Sequence, residues 1–187
     1  MIHLTGGRFK GLRVVTPPSL RPTGAKVRLA LCNILGAGIQ GARVLDGFAG
    51  SGAIGLEALS RGASFAAFID DDVEAVVAIR TNLERVGSDL PRSAWRILQM
   101  DIARGLPHLA KLESPFDIIV FDPPYRSEEA KKALNTVVDC AMLAPAGIIV
   151  IEHDQRTSLP HSVGSLQQGP QHRYGDTVLS FYQERST

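Results

Sequence analysis

The sequence has few cysteines and no long apolar run. Cys32 and Cys140 are the two cysteines among 187 residues, and they lie far apart outside any CxxC pair. This usage argues against a disulfide scaffold or a zinc site, and we expect no bound metal and a reducing, cytoplasmic environment. No apolar stretch approaches the roughly 20 residues that span a bilayer. Residues 1–8 lack a basic stretch followed by an apolar one, so we expect no signal peptide.

Acidic residues are absent from the first 45 positions. Seven of the 20 basic residues fall there, which leaves 13 basic against 19 acidic residues in the remainder. A basic arm on an acidic body is typical of proteins that bind a polyanion, although a solvated surface segment is the plainer alternative. Charge alone does not separate RNA from DNA. The candidate contacts are Arg8, Lys10, Arg21, Lys26 and Arg28.

From residue 43 onward, short β-type apolar runs alternate with helical patterns. Such alternation predicts parallel strands joined by crossover helices, in an α/β doubly wound sheet. Before this core we expect a hairpin over 2–5 and 11–16, then a helix over 26–35 with Val27, Leu31, Ile34 and Leu35 on one face. The predicted strands are 43–47, 64–70, 95–100, 116–121, 147–152 and 178–183, with a weaker signal at 162–168. The predicted helices are 52–61, 72–86, 103–111 and 128–142.

A glycine-rich segment links the first strand of this core to the next helix. Gly50, Gly52 and Gly55 satisfy GxGxxG, and Asp70 lies 20 residues after Gly50, so a dinucleotide site fits as well as an S-adenosylmethionine site. Asp46 favours the second, because its carboxylate would repel a diphosphate but suits an amino acid and a sulfonium cation. A dehydrogenase usually needs a further catalytic domain as well, and a chain of 187 residues has no room for one. The remaining alternative is a plain glycine-rich turn with Asp46 at the entry to the helix.

Three more residues complete the predicted cofactor site. Phe48 lies within the glycine-rich segment itself. Asp70 is expected to accept the ribose hydroxyls. Asp101 follows the third strand and could accept the amino protons of adenine, although an ordinary helix N-cap explains it almost equally well.

The motif Asp122-Pro123-Pro124-Tyr125 directly follows the fourth strand. Ligands of open parallel sheets bind outside the carboxyl ends of the strands, so the motif should face the same crevice as Asp46. Two prolines hold the backbone extended. Asp122 and a backbone carbonyl could then hold the amino protons of a base, while Tyr125 stacks on its ring for roughly 1–3 kcal/mol. The alternative is a simple turn that closes a strand.

Several segments together resemble the RsmD family of bacterial methyltransferases, which modify guanine N2 in 16S rRNA. The resemblance covers nearly the whole chain: Gly6–Gly11, Arg21-Pro22-Thr23, Val27-Arg28, Phe48–Ala63, Asp122–Tyr125 and Tyr174-Gly175-Asp176-Thr177. The glycine loop and the Asp-Pro-Pro-Tyr motif are shared by many amino-methyltransferases. The Arg-Pro-Thr and Tyr-Gly-Asp-Thr elements are more specific. The chain departs from the family at four positions. A larger residue is usual in place of Gly47, an acidic residue in place of Ala25 and of Leu29, and phenylalanine in place of Cys32.

The resemblance implies a Rossmann-like class I methyltransferase fold with a mostly parallel seven-stranded sheet. Residues 1–40 would form a basic hairpin and helix that contact RNA and cover the cofactor, with Thr23 at the cofactor. Residues 41–187 would form the methyltransferase domain. The implied partner is 16S rRNA in the 30S subunit or an assembly intermediate, and we expect a monomer. The rivals are a DNA adenine-N6 methyltransferase, a paralogue acting on another RNA, and a non-catalytic RNA-binding module.

Overall fold

An eight-stranded sheet forms the centre of the computed structural model, which describes residues 2–19, 24–113, 115–123 and 127–185. Its strands lie in the order β5-β4-β3-β6-β7-β10-β9-β8, and the first five are parallel while the last three are antiparallel. The strands are β3 Arg43–Gly47, β4 Phe65–Asp70, β5 Trp95–Gln99, β6 Phe116–Phe121, β7 Leu143–Asp154, β8 Ser162–Val163, β9 Leu166–Tyr174 and β10 Thr177–Glu184.

This architecture confirms the predicted α/β fold with a mostly parallel sheet, but the strand count differs. The sheet has eight strands instead of seven, because the region of the weak signal divides into β8 and β9. β7 also begins four residues before the predicted strand and continues two residues past its end. Gly175, at a φ of 65°, turns the chain from β9 into β10.

Within the described residues, five α-helices cover both faces of the sheet. They are α1 Ala25–Leu35, α2 Ala53–Ser60, α3 Val73–Val86, α4 Ile102–Glu113 and α5 Ser127–Asp139. Helices α1, α2 and α3 pack on one face, and α4 and α5 pack on the other. In the part of the chain that the structure describes, no helix is both long and apolar enough to cross a membrane.

The central strands are buried on both faces, as their apolar runs predict. In β6, Phe116, Ile119 and Phe121 pack toward α4 and α5, while Ile118 and Val120 pack toward α1 and α2. Asp117 is the exposed residue of this strand, and its Oδ2 accepts a hydrogen bond of 2.7 Å from the backbone N–H of Arg43. Alternate positions along each strand therefore identify the face of the sheet to which a side chain belongs.

Short strands at the N-terminus, β1 Ile2–His3 and β2 Arg13–Val14, form a separate antiparallel pair. The loop between them is held against the C-terminal end of α2, because the carbonyl oxygen of Ser60 accepts the N–H of Arg8 at 2.8 Å. Gly7 has a φ of 74°, and a Cβ there would stand 1.8 Å from the carbonyl oxygen of Ser60. A glycine is thus required where the hairpin meets the core.

Helix α1 follows the N-terminal strand pair, and one residue of its predicted apolar face is exposed. Val27 and Leu31 are buried against the sheet, but Ile34 is 39% exposed, so its assignment to the packed face was wrong. A short turn over 36–39 leads from α1 to the start of β3. The C-terminal end of α1 therefore lies at the amino edge of the sheet, and its N-terminal end lies toward the carboxyl edge.

Candidate functional site

The glycine-rich segment passes from β3 into α2 through left-handed backbone conformations. Gly50 and Gly52 have φ of 54° and 73°, and Phe48 has a φ of 61° although it is not a glycine. A Cβ on Gly55 would stand 2.3 Å from the ring of Phe68. Glycines at these positions allow the loop to fold back over the sheet edge, with the first turn of α2 directly behind it.

Asp46 lies at the carboxyl end of β3, buried beneath this loop. Its side chain is 2% exposed, and Oδ2 accepts a hydrogen bond of 2.9 Å from the N–H of Gly55. Burial raises the pKa of the Asp46 carboxyl well above its ordinary value, and the charges of Asp122 and Asp70 raise it further. A cation placed beside this carboxylate would relieve both effects, which suits the ammonium and sulfonium groups of S-adenosylmethionine.

Asp70 ends β4 and ties the loop to the neighbouring strand. Its Oδ2 accepts the N–H of Gly50 at 2.7 Å, and its Oδ1 accepts the N–H of Asp72 at 3.0 Å. Burial is the main cause that raises the pKa of this carboxyl, and the two hydrogen bonds oppose it. Each carboxylate oxygen can accept a further bond, so the side chain holds the loop and still faces the adjoining cavity.

A cavity of about 250 Å³ adjoins Asp70 on the α4 and α5 side of the sheet edge. The ring of Phe48 borders it and packs edge-on against Phe121, with 6.2 Å between ring centroids. A mainly apolar space that is bordered by an aromatic ring and by the carboxylates of Asp70 and Asp101 fits a purine nucleoside. The residues that line it at the strand ends are Phe48, Ile69, Asp70, Met100, Asp101 and Ile102.

Asp101 acts as a helix N-cap and also lines the cavity. Its Oδ1 accepts the N–H of Arg104 at 3.1 Å, in the manner of an N-cap at the start of α4. The same side chain lines the cavity. It also makes an exposed ion pair of 3.5 Å with Arg104. Its binding of adenine stays a prediction.

Asp122 and Pro123 follow β6 at the same edge of the sheet. The register sets Gly47 beside Phe121, so Asp122 comes directly after the strand that borders the cofactor loop. Phe121 pairs with Gly47 on one side and with Ile151 on the other, so Asp46, Asp122 and Glu152 lie at one edge of the sheet. The negative charge of Asp122 contributes to raising the pKa of both Asp46 and Glu152. Pro124, Tyr125, Arg21 and Thr23 lie outside the described residues.

Glu152 is a residue of this edge that the sequence analysis did not assign to the site. Burial, and then the charge of Asp122, raises the pKa of its carboxyl to about 8. The sequence pattern could have identified Glu152, because it has the same parity in β7 as Ile148 and Val150. Those two residues pack on the face that α1 and α2 cover. The next residue, His153, lies partly buried within β7. Its Nε2 is 2.7 Å from the hydroxyl of Ser180, and burial lowers its pKa.

The predicted RNA contacts separate into exposed and buried side chains. Arg8, Lys10 and Lys26 are exposed, and the guanidinium of Arg8 lies 4.5 Å from the ring centroid of Phe9. Arg28 is fully buried, so its assignment to RNA was wrong. Its Nε is 3.6 Å from Glu57, and it donates a hydrogen bond of 2.8 Å to the carbonyl oxygen of His3. The ion pair holds α1 against α2 and β1, where no nucleic acid can reach it.

The hairpin loop lies far from the cofactor loop. Arg8 binds the end of α2 at Ser60, whereas Gly52 precedes the start of that helix. Eight helical residues at 1.5 Å each separate the two loops by about 12 Å along the axis. The N-terminal end of α1, which carries Lys26, lies instead toward the cofactor edge.

Comparisons with known proteins agree with this geometry. A family model described as "Conserved hypothetical protein 95" matches residues 2–183. The chain is 38% identical to the Bacillus subtilis protein YlbH, named as an rRNA methyltransferase, over 98% of this chain and 100% of that protein. It is 35% identical to ribosomal RNA small subunit methyltransferase D of Escherichia coli, over 85% of this chain and 78% of that protein.

Solved structures match the fold over nearly its full length. A methyltransferase structure from Escherichia coli superposes with a TM-score of 0.86 at 31% identity and covers 100% of this chain and 99% of that one. A Thermus thermophilus 16S rRNA N2 guanine methyltransferase, in complex with AdoMet and guanosine, superposes with a TM-score of 0.69 at 26% identity. That match covers 95% of this chain and 46% of the other.

Proposed function

The chain belongs to the conserved hypothetical protein 95 family, and from that premise we propose that it methylates the exocyclic N2 amine of a guanine in small-subunit ribosomal RNA. Its cofactor is S-adenosylmethionine. The observation that carries the proposal is the position of Asp122 at the strand end beside the cofactor loop, within electrostatic reach of buried Asp46. The named activities of the relatives support the choice of ribosomal RNA.

The residues around the glycine loop fit this cofactor. Asp46 offers a buried carboxylate to a cationic group, and the left-handed glycines bring the backbone close to a ligand. Asp70 would accept the ribose hydroxyls, Phe48 would pack on the nucleoside, and Asp101 would accept the adenine amine. Thr23 is proposed to contact the cofactor from the segment before α1. When bound, the cofactor supplies an electrophilic methyl group on sulfur.

Asp122 performs the positioning that the reaction needs. The lone pair of the guanine N2 is delocalised into the ring, so the amine is a weak nucleophile. By accepting one amino proton, the Asp122 carboxylate turns the nitrogen toward the methyl group and stabilises the positive charge that develops on it. The nitrogen gives up one proton as it gains the methyl group, and Asp122 is placed to receive it. Two consecutive prolines, Pro123 and Pro124, favour an extended backbone in this motif, and Tyr125 would stack on the base.

The basic arm is proposed to hold the RNA. Residues 1–40 would serve as an RNA-contacting extension and residues 41–187 as the catalytic domain. Lys26 stands at the end of α1 nearer the cofactor, whereas Arg8 and Lys10 stand at the opposite edge of the sheet. Contacts at both edges suit a substrate larger than the protein, such as a 30S subunit or an assembly intermediate, met by a monomer in the cytoplasm. Arg21 would add to the contacts near Lys26.

The test uses 30S particles from cells that lack the gene, incubated with labelled S-adenosylmethionine and the purified protein. The wild type should label 16S rRNA and leave duplex DNA unlabelled. Asp122→Asn should reduce the rate by a factor of roughly 100 or more while cofactor affinity changes little. Asp117→Asn, at the other end of the same strand, is the matched control and should remain active. Label in DNA, or full activity of the Asp122 variant, would contradict the proposal.

A further inference from the structure

Three carboxyl groups lie near the carboxyl ends of three neighbouring strands, and the alternation along the strands assigns them to one face of the sheet. In β6 and β7 the pairs Ile118 with Ile148 and Val120 with Val150 lie on the face that α1 and α2 cover. The next residues of that parity are Asp122 and Glu152. Asp46 of β3 pairs with Val120 and belongs to the same face. Glu152 therefore lies beside Asp122, on a strand whose backbone is about 4.8 Å away.

Glu152 has apolar neighbours on β10 and α1. Across the sheet its partner in β10 is Leu179, and α1 packs Val27 and Leu31 on the same face. Among the described residues, the titratable groups on this face include Asp122 on β6, Asp46 on β3 and, on β9, Tyr174 and His172, which pairs with Leu179. His153, next along β7, turns to the opposite face and is bonded to Ser180. Fold stability gives no reason for a second partly buried carboxyl group beside Asp122, since each raises the energy of the other when ionised.

The Watson–Crick edge of guanine presents two adjacent hydrogen-bond donors, the N2 amine and N1–H. Adenine presents its N6 amine next to N1, which is an acceptor. A site that methylates a guanine amine and rejects an adenine amine can therefore use a second acceptor beside the first. Asp122 and Glu152, side by side on neighbouring strands, offer such a pair.

We propose that Glu152 is a specificity-determining residue, whose ionised carboxylate accepts the N1–H of the guanine that Asp122 holds by its N2 amine. This inference rests on the proposed function. An adenine in the same position would set its N1 lone pair against the Glu152 carboxylate, which disfavours N6 methylation. The same contact selects an unpaired guanine, because N1–H is occupied in a base pair.

The proposal predicts a characteristic pH dependence. The carboxyl of Glu152 has a pKa of about 8 in the free protein, so it is mostly protonated at pH 6. The carbonyl oxygen of the protonated group is a weaker acceptor of N1–H than the charged carboxylate that forms as the pH rises. For the wild type, kcat/KM on 30S particles should rise by roughly fivefold or more between pH 6 and pH 8. In Glu152→Gln the amide oxygen still accepts N1–H without titrating, so the profile should be flat.

The closing experiment measures kcat/KM against pH for wild type, Glu152→Gln, Glu152→Ala and the control Glu184→Gln, an exposed carboxylate at the end of β10. Near pH 8 we expect Gln to retain more activity than Ala, and the control to follow the wild type. Identical profiles for wild type and Glu152→Gln, or a wild-type rate that falls toward pH 8, overturn the assignment of Glu152 alone. A wild type that labels no 30S particle at any pH overturns the proposed function and this inference with it.

A second readout is independent of turnover. Carbon-13 NMR of glutamate carboxyls, with the Glu152 signal identified by its loss in Glu152→Gln, follows the titration in the protein without RNA. The signal should titrate near pH 8, and at lower pH in Asp122→Asn, because that variant removes the neighbouring charge. A signal that titrates near the ordinary glutamate pKa and ignores Asp122→Asn would show that the carboxylate pair does not exist.

Discussion

At the scale of single residues, the site depends on carboxyl groups that the fold buries fully or in part. Asp46 is the most deeply buried of them, and the N–H of Gly55 satisfies only one of its acceptor positions. A buried carboxylate beside two other acidic residues is unfavourable in the protein alone. It becomes favourable when a cation arrives, so the cost of burying it is linked to cofactor binding.

Asp46→Asn separates the hydrogen bond that Asp46 accepts from Gly55 from the negative charge of its carboxylate. The asparagine oxygen can keep the bond from Gly55, but the charge that meets the cofactor is lost. We expect cofactor affinity to fall by a factor of about 10 to 100, or about 1.4 to 2.7 kcal/mol, as calorimetry would measure it. An affinity equal to that of the wild type would remove Asp46 from the cofactor site.

The same variant should change how stability depends on pH. The pKa of Asp46 is higher in the folded protein than in the unfolded chain. Its contribution to stability is therefore present below the unfolded pKa and is lost as pH rises toward the folded value. Urea unfolding without cofactor should show a smaller loss of stability above about pH 4 in Asp46→Asn than in wild type.

At the scale of elements, α1 joins the N-terminal extension to the catalytic core. One side of the helix packs Val27 and Leu31 into the sheet, and the Arg28 guanidinium is buried beside Glu57. The carboxylate of Glu57 also accepts the N–H groups of Thr5 and Gly6 at 2.8 Å each, so one acidic residue of α2 holds both α1 and the hairpin. Lys26 lies on the exposed side.

Adjacent basic residues of α1 should therefore behave differently on substitution. Arg28→Ala leaves a buried carboxylate with fewer partners, and we expect a loss of about 3 kcal/mol in the free energy of unfolding. Lys26→Ala should leave stability unchanged and weaken RNA binding. Urea unfolding and filter binding would measure the two effects. If Arg28→Ala kept its stability but bound RNA more weakly, Arg28 would be an RNA contact and not a structural residue.

The sequence predicts most of α1 and the strand cores but not their side-chain environments. Periodicity identifies the helix, yet it counts Arg28 with the surface because the type of a residue says nothing about a partner 29 positions away. The prediction for Ile34 was wrong for a related reason, because the apolar side of a helix can extend past the edge of the sheet. Glu152 has the parity that puts it beside Asp122, but only the register of β6 with β7 makes them neighbours. Local patterns fix local structure, and long-range pairing has to be observed.

At the scale of the whole molecule, the basic side chains lie at both edges of the sheet while the acidic row lies at one. Arg8 and Lys10 occupy the amino edge with the hairpin, and the carboxylates occupy the opposite edge with the cofactor loop. An RNA that reaches the catalytic edge must also extend along the protein to contact the hairpin. Electrostatic attraction between the RNA and the basic residues of the hairpin would then hold the substrate without adding charge beside the reacting groups.

Removing the two hairpin charges tests this arrangement. The double variant Arg8→Ala with Lys10→Ala should weaken binding to 30S particles and reduce the slope of log affinity against log salt by about one unit or more. Lys111→Ala, an exposed lysine of α4 on the other side of the sheet, is the control and should bind as the wild type does. An unchanged salt slope in the double variant would place the RNA elsewhere.

The measurement that bears most directly on the central claim is the chemical position of the transferred methyl group. Ribosomal RNA from the reaction of the wild-type protein with 30S particles would be digested to nucleosides and analysed by mass spectrometry. The account predicts that the wild type forms N2-methylguanosine in 16S rRNA and that Asp122→Asn forms it at a rate lower by a factor of roughly 100 or more. A methyl group on adenine N6, on DNA, or on no nucleoside would contradict it.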